Sequence, residues 1–102
     1  MNTSNTSFNE EVRKLAQEAA NIVISKQKDY GPKNIMNSVV DPNTGIAVRL
    51  SDKIARIVNL SKPGKTPNNE SIRDTWIDII GYGLVGLMVH DETFLNPLED
   101  EK

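Results

Sequence analysis

Length, composition and charge limit what this chain of 102 residues can be. It is long enough for one domain with a modest core, and its 25% of charged residues is typical of a globular protein. The net charge of −2 excludes a generally basic surface, so we expect no direct DNA binding. The chain has no cysteine, which excludes disulfides, thiolate zinc sites and cysteine nucleophiles. With one histidine, a metal site would rest mainly on carboxylates, which favours Mg²⁺ or Mn²⁺.

The sequence carries no pattern of a signal peptide or a membrane span. Its longest apolar run, 79–89, is too short for a bilayer, which needs about 20 residues. We therefore expect a cytoplasmic protein with no membrane partner, located in the host cytoplasm if a phage encodes it. Residues 1–6 are predicted to be disordered, 7–92 to form a single helical domain, and 93–102 to form a C-terminal tail.

The first predicted helix covers residues 8–27. Ser7 and Glu10 have the spacing of a capping box, in which the Ser7 hydroxyl accepts a hydrogen bond from the Glu10 N–H. Apolar residues then recur at helical spacing along one face, and the Gly31-Pro32 step ends the pattern. The segment 31–45 contains two prolines and several asparagines, which predicts a loop with at most a short helical turn.

Two more helices are predicted after this loop. The first of them covers 44–60 with Thr44 as its N-cap, and the other covers about 69–89 with Thr66 or Asn68 as its N-cap. No alternation typical of strands occurs, so the sequence predicts an all-α fold, a small helical bundle of three main helices.

The second half of the last helix is apolar on almost all sides. This pattern, over 79–89, predicts burial on more than one side. Gly81, Gly83 and Gly86 indicate close approach of a neighbouring helix, because a glycine inside a helix otherwise costs about 1 kcal/mol relative to alanine.

A row of acidic residues, the acidic stripe, lies along one face of the last predicted helix. Glu70, Asp74 and Asp78 recur every four residues and therefore share one face. Carboxylates that are partly buried must be paired, protonated or bound to a metal. The alternative is that they only favour the helix N-terminus through the helix dipole, which fits Glu70 better than Asp78.

A mixed-charge face lies on the helix before it. Arg49, Asp52, Lys53 and Arg56 are spaced to share one side of that helix. The cations would suit phosphate oxygens, and Asp52 would add a carboxylate to a metal site shared with the acidic stripe. The commoner meaning of such a pattern is a solvated face, or ion pairs with the facing helix.

Lys28 and Tyr30 lie in the segment 26–31, where the first predicted helix closes. A lysine near a helix C-terminus and a Tyr-Gly stop signal are ordinary helix endings. In a nucleotide site, Tyr30 would stack on a base and Lys28 would approach phosphate.

Three blocks of the sequence together resemble the phage and bacterial nucleotide modification associated domain 1 family. The blocks are residues 28–31, residues 45–56, and residues 70–78 with Tyr82. The family is in turn similar to the all-α nucleoside triphosphate pyrophosphatases of the MazG type. The resemblance extends over about residues 8–90.

The resemblance implies a MazG-like bundle that binds Mg²⁺ and cleaves a nucleoside triphosphate between its α and β phosphates. Asp74, Asp78 and Tyr82 match the second acidic element of MazG-type enzymes. The first element is matched only by Asp52, because Ala55 and Arg56 occupy the region of its later glutamate.

Three hypotheses follow. The first is a Mg²⁺-dependent (deoxy)nucleoside triphosphate pyrophosphohydrolase, with Mn²⁺ as the alternative ion. The second is a non-catalytic nucleotide-binding protein, and the third is a helical assembly protein whose charges form salt bridges. In the first hypothesis the metal ligands are Asp52, Asp74 and Asp78, the general base is Glu70, and the substrate-binding residues are Lys28, Tyr30, Arg49, Lys53 and Arg56.

We also expect a homodimer or homotetramer joined largely through the last helix. Three helices leave the apolar segment 79–89 with too few partners inside one subunit. MazG-type enzymes are oligomers, so the resemblance implies the same, with Lys28 or Tyr30 able to reach a nucleotide on a neighbour. The alternative is that the first helix and residues 94–98 cover the segment within one subunit.

Overall fold

A computed structural model describes residues 5–37, 40–64 and 69–99, and for 69–71 it describes the backbone only. Four helices follow in chain order: α1 (Phe8–Tyr30), α2 (Lys33–Met36), α3 (Pro42–Leu60) and α4 (Asn69–His90). No strand occurs within these ranges, which confirms the all-α prediction with three long helices and one short turn. No helix in the same part of the chain is both long and apolar enough to cross a membrane.

Helix α1 begins where the capping pattern predicts and ends later. The Glu10 N–H donates to the Ser7 hydroxyl oxygen at 3.1 Å. The predicted end at residue 27 was wrong, because the helix continues to Tyr30 and stops at Gly31. Gly31 has φ +70° and ψ −176°, a conformation that is essentially restricted to glycine, and its N–H donates to the Gln27 carbonyl.

Helix α3 begins at Pro42, so the prediction of Thr44 as its N-cap was wrong. Asp41 is the N-cap, and its carboxylate accepts from the Thr44 N–H at 3.0 Å and from the Thr44 hydroxyl at 2.8 Å. These hydrogen bonds, that from the Thr44 backbone first, hold the pKa of Asp41 below its usual range. An aspartate followed by proline is a strong N-cap signal, since proline fits the first helical position. The caps predicted for α4, Thr66 and Asn68, lie outside the described residues.

Helix α4 packs against both α1 and α3, so its predicted burial on more than one side is confirmed. It is antiparallel to α3: Asp78 near its middle contacts Lys53, and Gly86 near its end faces Ile46 near the start of α3. A Cβ atom at Gly86 would lie 3.9 Å from Ile46, which is ordinary contact.

Helix α4 is parallel to α1. Arg73 in its first turns pairs with Glu18 through two hydrogen bonds of 2.7 and 2.8 Å. This side-chain hydrogen bonding from Arg73 lowers the pKa of Glu18. Further along, a Cβ atom at Gly81 would lie only 3.3 Å from Val23, so this glycine allows the close approach that the sequence predicts.

The buried core is small and includes a residue beyond α4. Ile35, Ile46 and Phe94 form one buried cluster, with Phe94 only 6% exposed. The Gln27 side-chain amide donates to the Phe94 carbonyl at 3.5 Å, which ties this segment to α1. The segment assigned to the tail therefore contributes to the core, whereas its Leu95 remains exposed.

Candidate functional site

A cavity of about 260 Å³ lies between α1, α2, α3 and α4. We call it the central cavity. Its aliphatic wall includes Ile22 and Val23 from α1 and Ile77 and Val85 from α4. Ligand sites usually measure about 300–1,000 Å³, so this volume suits one ring system, with the rest of a ligand lying outside the mouth.

Three aromatic side chains line the central cavity. Tyr82 of α4 is half-buried, and Phe94 is buried in the core. Tyr30, at the last turn of α1, is 71% exposed and forms part of the cavity mouth. Aromatic faces of this kind can stack on a planar base.

Among the described residues at the same cavity, positive charge surrounds one carboxylate, that of Asp78. Asp78 lines the cavity and forms ion pairs with two lysines. Its Oδ2 lies 3.1 Å from Lys53 Nζ, and its Oδ1 lies 3.8 Å from Lys26 Nζ. The Asp78 side chain is 27% exposed, so solvent and ligands reach it. The Lys53–Asp78 contact confirms the structural interpretation of these charges as an ion pair between facing helices.

A third cation, Arg49, lines the central cavity from α3. One of its guanidinium nitrogens donates to the Asn34 carbonyl at 3.0 Å, which joins α3 to the α2 turn. A guanidinium has five N–H donors in a fork that matches phosphate oxygens, and this bond holds that fork in place at the cavity wall. Among the described residues, Lys26, Arg49 and Asp78 therefore line the cavity, and Lys53 contacts Asp78.

The structure brings together part of the predicted site. Tyr30, Arg49 and Asp78 line the central cavity, and Lys53 contacts Asp78. The other predicted site residues whose side chains are described are exposed and lie outside the cavity wall: Lys28, Asp52, Arg56 and Asp74. Glu70 lies in the first turn of α4, and its side chain falls outside the described residues.

Lys28 lies on the far side of α1 from the cavity. It is two residues from Lys26, which places it about 200° around the helix. Lys26 lines the cavity and Lys28 does not. The two lysines are therefore a matched pair, alike in charge and position along α1 but on opposite sides of it.

The carboxylates that the structure describes in one chain do not form a site for a resident divalent cation. Among the residues that the structure describes, no three Asp, Glu or His side chains are placed to hold a metal ion. Of the predicted ligands, Asp78 has its oxygens on two ammonium groups, and Asp52 and Asp74 are exposed. A Mg²⁺ site built from these three side chains within one subunit is absent from the described part of the chain.

Two residues that line the cavity, Lys26 and Phe94, were not among those predicted from the sequence. Lys26 follows Ala19 and Val23 at seven and three residues, so it lies on the packing face of α1. A charged residue on an otherwise apolar face is the signal that could have identified it. Phe94 was expected only in the alternative that residues 94–98 cover 79–89, and its place in the cavity wall depends on the turn after α4, where Glu92 has φ +60°.

The comparisons with known proteins agree with the sequence blocks described above. Residues 26–89 match the family model for nucleotide modification associated domain 1. The match covers well over half of the chain and includes Lys26, Arg49, Lys53 and Asp78. No curated protein and no solved structure matches the chain.

Proposed function

The chain belongs to the nucleotide modification associated domain 1 family, and from this premise we propose that it binds a nucleotide in the central cavity. One observation carries the proposal. Among the described residues, an apolar cavity with aromatic side chains is lined by Lys26, Arg49 and Asp78, and Lys53 contacts Asp78 from α3. Each half of a nucleotide, the planar base and the anionic phosphates, has matching groups there.

The base would occupy the interior of the cavity. Its walls are aliphatic on α1 and α4, and Tyr82 and Phe94 add aromatic surface. Stacking of a base on an aromatic side chain contributes about 1–3 kcal/mol and tolerates different bases. The cavity volume of about 260 Å³ leaves the sugar and phosphates toward the mouth, where the cations lie.

The phosphates would replace the Asp78 carboxylate as the partner of Lys26 and Lys53. Lys53 and Lys26 have side-chain exposures of 32% and 58%, so an incoming anion can reach both. Hydrogen bonds from ammonium and guanidinium groups to phosphate are charge-assisted and stronger than neutral ones. Asp78 then acts as an internal counterion that keeps the lysines in place when no nucleotide is bound.

A comparison of the nucleotide affinities of Lys26→Met and Lys28→Met tests this proposal. We expect calorimetric titration with nucleoside mono-, di- and triphosphates in EDTA to show binding by the wild type. Lys26→Met should weaken it about tenfold, since a hydrogen bond to a charged group contributes about 1.5–3 kcal/mol. Lys28→Met should leave affinity within twofold. No nucleotide binding at millimolar concentration, or equal losses in both variants, would refute the assignment.

Nucleotide hydrolysis is the second candidate function. Asp74 and Asp78 lie one turn apart on α4, on the side of the helix that carries the cavity, and Glu70 is one turn earlier. This is the arrangement that a MazG-like pyrophosphohydrolase would use. Mg²⁺ or Mn²⁺ would have to enter with the phosphates, because the described carboxylates of one chain form no metal site.

A product assay distinguishes binding from hydrolysis. Purified protein is incubated with each NTP and dNTP, with and without Mg²⁺ or Mn²⁺, and products are separated by ion-pair chromatography. A pyrophosphohydrolase releases a nucleoside monophosphate and pyrophosphate. Binding without any product, under every ion, would support the non-catalytic nucleotide-binding function and exclude the enzyme.

A further inference from the structure

Two lysines at the central cavity converge on one small anionic group. Lys53 Nζ lies 3.1 Å from Oδ2 of Asp78, and Lys26 Nζ lies 3.8 Å from Oδ1 of the same carboxylate. The two lysines come from α3 and α1, so the carboxylate of α4 is held between two other helices. The position between the two ammonium groups therefore has the size of one carboxylate. A single phosphoryl group, which is only slightly larger, fits this position better than a chain of phosphates does.

The charge around this position also matches one phosphoryl group. Arg49 lies one helical turn before Lys53 on the same side of α3, and its bond to the Asn34 carbonyl uses only one of its N–H donors. Among the described side chains here, two lysines and one arginine against one carboxylate give a net charge of +2. A phosphate monoester carries a charge of about −1.5 to −2 at pH 7, so one phosphoryl group balances these side chains.

Further phosphates would meet less favourable side chains along α4. Asp74 lies one turn before Asp78, is exposed, and adds negative charge on the same side of the helix. The next cation along α4 is Arg73, and both of its terminal nitrogens already donate to Glu18, at 2.7 and 2.8 Å. A phosphate chain that extends in this direction therefore gains repulsion from a carboxylate and no unoccupied guanidinium.

We propose that the central cavity takes a nucleoside monophosphate, an inference that rests on the proposed function and names its ligand class. The base lies inside the cavity, and its one phosphoryl group replaces the Asp78 carboxylate between Lys26 and Lys53. Because Asp78 itself lines the cavity, this position is directly next to the space for the base. Additional phosphates extend toward Asp74 and solvent, so they add little binding free energy when no divalent ion is present. Affinity should therefore stop rising after the first phosphate.

Calorimetric titration in EDTA with complete phosphate series tests this inference. The wild type is titrated with the nucleosides of adenine, guanine, cytosine and thymine and with their 5′-mono-, di- and triphosphates. For a base that binds, the monophosphate should bind at least about tenfold more tightly than the nucleoside, since hydrogen bonds between charged groups are strong. The diphosphate and the triphosphate should bind no more than about threefold more tightly than the monophosphate, because exposed charges are screened.

The possible outcomes separate this inference from the proposed function. An affinity that rises about tenfold with each added phosphate would overturn the inference and leave nucleotide binding in the cavity intact. If no nucleotide binds, or if the nucleoside binds as tightly as its phosphates, the proposed function and this inference fail together.

A pair of α3 variants locates the phosphoryl group. Lys53→Met should weaken binding of the monophosphate about tenfold. Arg56→Met is the matched control, because Arg56 is exposed and outside the cavity wall, and it should leave the affinities for monophosphate and triphosphate within about twofold of the wild type. An equal loss of triphosphate affinity in both variants would show that the phosphates extend along α3 and would overturn the inference. If either variant loses helix content by circular dichroism, the wild-type series decides.

Discussion

Replacing Asp78 by asparagine separates the two roles that this carboxylate could have. As a counterion it competes with phosphate for Lys26 and Lys53, which it contacts at 3.8 and 3.1 Å. As a metal ligand it would contribute only when a divalent ion is present. Asp78→Asn keeps the shape of the side chain and removes its charge, so the two roles predict opposite changes in nucleotide affinity.

The expected magnitude follows from the exposure of the ion pairs. Lys26 and Lys53 have side-chain exposures of 58% and 32%, and ion pairs at such partly exposed positions contribute about 0.2–1 kcal/mol each. The variant should therefore lose about 1 kcal/mol of folding free energy or less. Release of both lysines should tighten metal-free nucleotide binding between about twofold and tenfold, since 1.4 kcal/mol is a factor of ten.

The assay is calorimetric titration of wild type and Asp78→Asn, first in EDTA and then in Mg²⁺. Asp52→Asn is the matched control, because Asp52 is exposed and outside the cavity wall. Tighter binding in EDTA by Asp78→Asn alone is the expected result. Weaker binding in EDTA would refute the counterion role. If the wild type hydrolyses a nucleotide with Mg²⁺, Asp78→Asn should abolish that activity, and turnover at the wild-type rate would exclude Asp78 as a ligand.

Three further predictions concern the fold. Glu18→Gln should lower the melting temperature at pH 7, and this difference should disappear in acid, because Arg73 lowers the pKa of Glu18 and such stabilisation is lost as pH falls through the folded-state pKa; a difference that persists unchanged in acid would contradict this. Asp41→Ala should lower the melting temperature by about 5 °C, whereas Asp41→Asn, which retains the capping oxygen, should not; thermal unfolding followed by circular dichroism measures both. Phe94→Ala should cost about 3 kcal/mol in urea unfolding and the exposed Leu95→Ala almost nothing, and equal effects would show that Phe94 does not belong to the core.

The local elements could be predicted from sequence because their signals are local. The Ser7 cap of α1, the α2 turn and the bounds of α4 were predicted to within a few residues. The errors occurred where two local signals compete. Lys28, Asp29 and Tyr30 extend α1 because Gly31 alone ends it, and Asp41 precedes Thr44 as a better cap for α3.

The candidate site was predicted in part, for a physical reason. Helical spacing predicts which residues of one helix share a face, so Arg49 and Lys53 were grouped correctly on α3. It does not predict how far that helix is rotated against its neighbours. That rotation leaves Asp52, about 60° around α3 from Arg49, outside the cavity wall, and it brings Lys26, from another helix, against Asp78. Arg56 lies outside the wall because it is about 10 Å further along α3 than Arg49.

The all-α class, the family and the apolar character of the last helix follow from the sequence, since composition, motif blocks and periodicity can be read along the chain. Which side of that helix is covered depends instead on how the helices pack. Packing against α1 and α3 buries Ile77 and leaves Trp76, its neighbour in sequence, exposed. The same packing surrounds Asp78 with lysines, because contacts between residues distant in sequence depend on the relative positions of whole helices.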